Sequence, residues 1–254
     1  MTADQRPEVR RRPFLLVFLL LVPVLLLGFV LVNGLSDRST SLLGLSECTV
    51  ETSKGDVGLS REEAQRATTT AALLARGSSF ADIDSIDGAA GIDEAVMQRL
   101  IEGPPDDAGP SLSCRGTATD GLEEEPLTPS GLTPRAEKLR DAMSEVFGES
   151  SLGGFAPGGV SSGHGAESTH YDGRAIDVFF RPVTEENRRQ GWILSQWLVA
   201  HAGDYNIQYV IFDDKFWSAH LSRGQWHNYD APDPENEILR HLDHVHVDVL
   251  RGEN

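Results

Sequence analysis

The feature that most constrains this chain is an uncharged apolar run, Phe14–Val32. Its length is close to the roughly 20 residues that an apolar helix needs to cross the ~30 Å hydrocarbon core of a bilayer. Four arginines come just before it: Arg6, Arg10, Arg11 and Arg12. Because basic residues stay on the cytoplasmic side, we expect a cytoplasmic tail at 1–13, a transmembrane signal anchor at 14–33, and the following residues outside the membrane. A cleaved signal peptide is the alternative.

The charge balance narrows the possible partners. The formal net charge is −17, and the sequence pI is about 4.8. Binding to nucleic acid depends on lysines and arginines that neutralise phosphates. We therefore expect no nucleic-acid partner.

The chain has two cysteines, Cys48 and Cys114, and both follow the predicted anchor. In an oxidising compartment an even number of cysteines predicts a disulfide, here one that clasps a small unit at 45–116. Two separate buried thiols are the alternative. An N-cap at Ser60, an alanine-rich stretch and Gly77 predict one helix, and 92–102 a second. We expect a small helical module, whose protein partner the sequence does not identify.

A linker and a second domain follow the module. Residues 117–131 are rich in glutamate and contain two prolines, which is typical of a linker. Thr133-Pro134 then opens a helix, and this marks the start of a domain at 132–254. Further elements are predicted in this domain: strands at Ala175–Phe180, Tyr209–Phe212 and His244–Leu250, and a helix at Thr184–His201 with Trp192 and Trp197 inward. Helices beside a small antiparallel sheet give an α+β fold class.

Two short segments of this domain carry the candidate chemistry. His170 precedes Asp177 by seven positions, and Gly173 between them permits a tight bend that can bring both side chains to one point. In the second segment, strand alternation puts His244, His246 and Asp248 on one face and three valines on the other. A pair of half-exposed histidines on an edge strand is the alternative for an isolated His-x-His. With both segments in one domain, the pattern predicts a metal site.

The two segments predict a site for a single Zn²⁺ with two histidines and one aspartate as ligands. Two imidazoles and a carboxylate leave a fourth position open for water, as catalytic zinc sites do. A closed structural site with His244 as the fourth ligand is the alternative.

The pattern Ser-x-His-x-x-Gly-x-Ala-x-Asp followed by His-x-His resembles the zinc D-Ala-D-Ala carboxypeptidases and the related lysostaphin-type and hedgehog-type domains. The resemblance covers about 132–254. It implies that His170, Asp177 and His246 bind zinc and that His244 assists the reaction without binding the metal. It leaves two positions for the general base: Asp213, which follows the middle strand, and Asp243, three positions before the last ligand. Strand alternation turns Asp243 away from the metal unless the strand begins only at His244, so Asp213 is slightly preferred.

Two further residues near the predicted ligands are candidates for substrate binding. Arg174 can hold a substrate carboxylate through two hydrogen bonds, with a surface ion pair as the alternative. Ser168 can orient His170 or the substrate. The resemblance implies a membrane-anchored extracytoplasmic zinc peptidase of bacteria that acts on peptidoglycan stem peptides, as a carboxypeptidase or an endopeptidase. A non-catalytic, hedgehog-like module that binds cell wall or protein is the alternative.

Overall fold

A computed structural model describes residues 46–78, 91–104, 109–116, 118–221 and 223–253. The predicted tail at 1–13 and the anchor at 14–33 lie outside these ranges. Within them, no helix combines the length and the apolar character needed to span a bilayer. The anchor therefore stays a prediction.

The predicted disulfide between Cys48 and Cys114 is present and joins two neighbouring strands. A three-stranded antiparallel sheet in the order β2-β1-β3 holds them. Its strands are β1 (Cys48–Thr52), β2 (Gly55–Leu59) and β3 (Leu112–Cys114). The prediction that the module at 45–116 is helical was incomplete, because the module also contains this sheet. The short turn from Thr52 to Gly55, where Gly55 has φ 111°, makes a hairpin of β1 and β2.

The helices begin and end where their caps predict. In the described ranges they are α1 (Arg61–Ala75), α2 (Glu94–Glu102), α3 (Pro134–Phe147) and α4 (Glu185–Ala200). Ser60 and Glu63 form a capping box at α1, which satisfies backbone N–H groups at the helix start. At the starts of α3 and α4, the side chains of Thr133 and Thr184 each accept one hydrogen bond from a backbone N–H group. The predicted boundaries differ from these by one or two residues.

A second, six-stranded antiparallel sheet carries the candidate site. Its order is β4-β5-β9-β6-β7-β8. The strands are β4 (Leu152–Gly153), β5 (Ala175–Phe179), β6 (Ile207–Phe212), β7 (Lys215–Ser218), β8 (His227–Asn228) and β9 (His244–Val249). The predicted α+β class with antiparallel strands and flanking helices is therefore confirmed at this level. All six residues of β9 are buried, because the strand lies between β5 and β6.

The disulfide-linked segment packs directly on the elements that follow. The Trp217 indole donates to the Cys114 carbonyl at 3.0 Å, and the Trp226 indole donates to the Leu112 carbonyl at 2.9 Å. From α4, the Gln196 side chain accepts from the Leu112 amide at 3.1 Å. Trp217 therefore lies in the core, and Trp226 packs against it. Trp192 and Trp197 are also buried, as predicted.

Candidate metal centre

Three ligand-type atoms converge at the boundary between β5, β9 and the loop before β5. His170 Nε2 lies 3.1 Å from His246 Nδ1 and 3.2 Å from Asp177 Oδ1, and His246 Nδ1 lies 3.2 Å from Asp177 Oδ1. All three side chains are buried. The structure therefore brings together the three residues that the sequence predicted as ligands.

The size of this triangle fits a small cation. In a tetrahedral zinc site with bonds of about 2.0–2.1 Å, neighbouring ligand atoms lie about 3.3 Å apart. The three observed separations, 3.1 to 3.2 Å, are close to this value. A point about 2 Å from all three atoms lies just outside their plane, and the fourth tetrahedral direction is left for another group.

Sheet register and a tight loop place these atoms. Asp177 in β5 and His246 in β9 are direct cross-strand partners, so their side chains emerge side by side on one face. His170 arrives from a turn that closes when the Gly173 amide donates to the His170 carbonyl at 3.0 Å. Gly173 has φ 66°, a conformation that glycine adopts at little cost. The predicted role of Gly173 in the bend is confirmed.

A second glycine, Gly154, leaves room for the His170 ring. Its φ is 80°, and a Cβ built on it would lie 2.2 Å from His170 Cε1 and 2.3 Å from His170 Nδ1. The same Cβ would lie 3.0 Å from Asp177 Oδ2. Gly154 belongs to the loop that directly follows β4, and no local pattern in the sequence gives it a role. Only the fold shows that this loop passes against the metal-site imidazole.

The charged surroundings stabilise a carboxylate at the centre of the cluster. Burial by itself would raise the pKa of the Asp177 carboxyl, but hydrogen bonds from His170 and His246 outweigh it and hold this pKa well below its usual range. Burial likewise lowers the pKa of His246, whereas the carboxylates of Asp177 and Asp248 raise it, with a net rise to about 9. The site therefore attracts positive charge, whether a proton or a cation.

Asp248 lies behind His246, away from the triangle. Its Oδ2 is 3.9 Å from His246 Nε2, and its Oδ1 accepts from the Tyr209 amide at 2.9 Å. Metal-binding imidazoles usually have a carboxylate or carbonyl at the other ring nitrogen, which fixes the ring. Asp248 occupies that position. Strand alternation had already put it on the same face as His246, so the sequence contained the signal.

Asp243 and His244 form a hydrogen-bonded pair beside the triangle. Asp243 Oδ1 lies 2.7 Å from His244 Nδ1, and His244 Nε2 lies 3.8 Å from Asp177 Oδ1. Strand β9 begins only at His244, so alternation does not govern Asp243. Burial by itself would raise the pKa of the Asp243 carboxyl. The hydrogen bonds with His244 and Arg181 lower this pKa by more, so it lies below its ordinary value.

Asp213, the preferred general base from the sequence, faces other partners. Its two oxygens accept from the Arg188 guanidinium at 3.1 and 2.7 Å, and Oδ2 also accepts from the Trp192 indole at 3.0 Å. Asp213 follows β6 with φ 51°, so the alternation of that strand does not continue through it. In the described part of the chain, none of its hydrogen bonds or ion pairs reaches the triangle.

The two predicted substrate-binding residues serve the loop itself. Arg174 is buried, and its Nη1 donates to the Val249 carbonyl at 2.7 Å and to Gln208 at 2.9 Å. Its Nε is 3.2 Å from Asp172. Ser168 Oγ accepts from the His170 amide at 3.4 Å. Arg174 thus fastens the loop to the end of β9, and Ser168 contributes to the position of His170.

Two more histidines border the cluster. His164 is exposed and stacks on His170 with ring centroids 4.0 Å apart. His164, His170 and Asp177 offer ligand atoms within 4.8 Å of one another, so this group could hold a metal ion. His241 lies 4.7 Å from His244 and 5.8 Å from His246 by ring centroids. Burial and the neighbouring His246 and His244 lower its pKa to about 3.

Two candidate trios thus share His170 and Asp177 and differ in the third ligand, His164 or His246. His246 is buried, and its Nδ1 lies 3.1 to 3.2 Å from the other two ligand atoms. His164 is exposed, and a ligand on an exposed loop costs more conformational entropy to fix.

Comparison with known proteins gives one family match. Residues 128–237 match the family model described as the VldE C-terminal domain, which is related to metallopeptidase-like families. The match covers His170, Asp177 and Asp213 and ends before β9. No curated protein and no solved structure matches the chain.

Proposed function

We propose that residues 132–254 form a Zn²⁺-dependent peptidase that hydrolyses amide bonds in peptidoglycan stem peptides, as a D-Ala-D-Ala carboxypeptidase or an endopeptidase. The observation that carries the proposal is the triangle of His170 Nε2, Asp177 Oδ1 and His246 Nδ1, with separations of 3.1 to 3.2 Å. The predicted anchor at 14–33 would hold this domain on the outer face of the membrane.

The donor set favours zinc with an open position. Two imidazole nitrogens and one carboxylate oxygen match the ligands of catalytic zinc sites, whereas hard cations such as Mg²⁺ prefer oxygen ligands. When bound, Zn²⁺ acidifies a water molecule and polarises the carbonyl under attack. The match to a family related to metallopeptidase-like families supports the same reading.

The pair of Asp243 and His244 supplies the proton transfer in this proposal. Asp243 holds Nδ1 of the imidazole, so Nε2 points toward the triangle and is 3.8 Å from Asp177 Oδ1. An imidazole held in this way by a carboxylate is a competent general base and acid. His244 Nε2 would take a proton from the attacking water and return it to the leaving amine. Asp243 would hold the ring and stabilise its charged form.

Asp213 takes a different place in this proposal. Its carboxylate joins α4 to the end of β6 through Arg188 and Trp192. Both oxygens of Asp213 accept from the Arg188 guanidinium, and the hydrogen bonds of this carboxylate in the described residues lead to α4 and not to the triangle. We therefore assign Asp213 to the support of the fold around the site and not to proton transfer.

Metal analysis and peptide digestion of the purified full chain test the proposal together. We expect one zinc per chain, and mass spectrometry of digested muropeptides should show the loss of a terminal residue or the cleavage of a cross-link. His170→Ala should abolish both. His220→Ala is the matched control, because His220 is exposed and is bonded to Ser218. A folded wild-type chain without metal would reject the proposal.

One observation favours a second candidate function, a zinc-containing module that binds cell-wall peptide without cleaving it. Both carboxylates considered as general bases are paired with arginines, Asp213 with Arg188 and Asp243 with Arg181. Asp243→Asn separates the two functions. A peptidase would lose turnover, whereas a binding module would bind wall peptide with unchanged affinity and would show no turnover before or after the change.

A further inference from the structure

Arg181 stands at the edge of the candidate site and has no assigned role. It lies two residues beyond the end of β5, at the same end of the sheet as Asp243, which directly precedes β9. Its Nε donates to Asp243 Oδ2 at 2.5 Å. Contacts thus run from Arg181 through Asp243 and His244 to the metal-site triangle.

The guanidinium of Arg181 is fixed on two sides. Besides the ion pair with Asp243, its Cζ lies 4.0 Å from the centroid of the Phe179 ring. Phe179 in turn lies beside His244, with ring centroids 5.7 Å apart. A guanidinium held against an aromatic face and a carboxylate has lost most of its freedom before any ligand arrives, so binding a ligand costs less entropy.

Most of the hydrogen-bonding capacity of Arg181 is unused. Of its five N–H donors, the one on Nε faces Asp243, while Nη1 and Nη2 donate to no group in the ranges that the structure describes. The side chain is 50% exposed, whereas that of Asp243 is 9% exposed. The guanidinium therefore presents a fixed pair of donors to solvent beside the site.

Other arginines near the site do not offer this. Arg174, which the sequence offered for a substrate carboxylate, is buried. Its Nη1 donates to Val249 and Gln208, and its Nε donates to Asp172. Arg240 is paired with Asp214 through two nitrogens. The chain has a net charge of −17, and Arg181 keeps unused donors next to the proposed reacting groups. Arg181 is therefore suited to bind an anion.

We propose that Arg181 binds the free C-terminal carboxylate of the peptide substrate through Nη1 and Nη2. This inference rests on the proposed function and deepens it, because it favours a carboxypeptidase over an endopeptidase. In a carboxypeptidase substrate the terminal carboxylate lies three covalent bonds beyond the scissile carbonyl carbon. A planar fork of donors matches a carboxylate in geometry as well as in charge.

Binding of two matched peptides tests this assignment. The probes are L-Lys-D-Ala-D-Ala in which the last amide is replaced by a non-hydrolysable CH₂–NH link, once with a free C-terminal carboxylate and once as the C-terminal amide. Calorimetry on the zinc-loaded full chain should show that the acid binds about 10- to 100-fold more tightly than the amide, as expected for charge-assisted hydrogen bonds.

Substitutions at Arg181 then identify the receptor. Arg181→Gln should bring the ratio of the two affinities close to one, and Arg181→Lys, which keeps the charge but loses the fork, should give an intermediate ratio. Arg189→Gln removes the same charge from a site bonded to Glu185 and Glu102, and it should leave the ratio unchanged. These measurements need no turnover.

The outcomes separate this inference from the proposed function. An acid preference that survives Arg181→Gln overturns the assignment, and so does a wild-type chain that binds acid and amide equally. If Arg181 only positions Asp243, then Arg181→Gln would lower kcat on the native acid and amide peptides by the same factor and keep their ratio. Preference for the acid through Arg181 without cleavage of the native peptide would support this inference and reject the peptidase.

Discussion

Two aspartates, Asp243 and Asp213, lie at ends of neighbouring strands and have similar chemical environments, yet they serve different parts of the molecule. Each is buried and each is paired with an arginine, Arg181 or Arg188. The second oxygen of Asp243 contacts an imidazole that faces the metal-site triangle. Asp213 instead accepts from the Trp192 indole, an interior residue of α4.

The two carboxylates differ in their second partner, and we propose that this difference separates their roles. Each aspartate is paired with an arginine, so this contact does not distinguish the two carboxylates. An imidazole can accept and release a proton during catalysis, and the His244 ring joins Asp243 to the triangle. The indole of Trp192 donates a hydrogen bond but does not exchange a proton, so Asp213 is coupled to the core. The following predictions test this division.

The largest effect is expected at the triangle to which Asp243 is coupled. His246→Ala should weaken zinc binding at least about 1,000-fold, because it removes a ligand atom and not only a group that orients one, which typically costs 10- to 100-fold. Competition with a chromophoric chelator measures the affinity. His241→Ala is the matched control beside the same site, and a loss as large as that of His246→Ala would contradict the choice of ligands.

The next largest effect should distinguish the two aspartates directly. Asp243→Asn should lower kcat on stem peptides about 100-fold while zinc stays bound, since His244 loses the charge that stabilises its protonated form. Asp213→Asn should change kcat by less than about threefold per folded molecule. Steady-state kinetics normalised to bound zinc measures both. Equal losses in the two variants would remove the distinction on which the comparison rests.

Stability should show the reverse order. Asp213→Asn removes the charge that accepts from Arg188 and weakens the bond from Trp192, so the free energy of unfolding should fall by about 1–3 kcal/mol. Denaturant unfolding of the full chain, followed by tryptophan fluorescence, provides the measurement. If Asp243→Asn proved the more destabilising of the two, Asp243 would be the structural residue.

The smallest effect concerns the loop that supports the site. Gly154→Ala should weaken zinc binding about 10-fold, because the added Cβ displaces the His170 ring. Gly158→Ala is matched, since Gly158 has φ 85° against 80° for Gly154 but would meet nothing within 4 Å. Both variants place an alanine at a similar positive φ, so the difference between them in chelator competition reports the contact with His170. Identical affinities in the two variants would show that the loop does not hold the ring.

The sequence predicted the strands of the site better than its turns. Strand alternation placed His246 and Asp248 on one face, and the cross-strand pairing of Asp177 with His246 agrees with it. Period-two reasoning works there because both strands are regular and buried. At Asp213 and Asp214 the chain has φ 51° and 58°, typical of a tight hairpin turn. A side chain in such a turn no longer follows the alternation of its strand, so the alternation of β6 does not fix the direction of Asp213.

Long-range contacts also escaped the sequence analysis. The fit of Gly154 against His170 depends on how the loop after β4 lies over the site, and no local pattern reports that. Arg174 and Arg181 flank β5 and look equally suited to an anion, but only the fold shows that Arg174 is buried, with its Nη1 bonded to the Val249 carbonyl. The first sheet was not predicted, because its strands are short and lie next to the predicted helices in the sequence.

Anomalous diffraction at the zinc edge, from crystals of the chain grown with zinc, tests the central claim most directly. The account predicts one strong peak about 2 Å from His170 Nε2, Asp177 Oδ1 and His246 Nδ1. A peak bound by His164 or His241 in place of His246, or a zinc-treated crystal with no peak between β5 and β9, would contradict it.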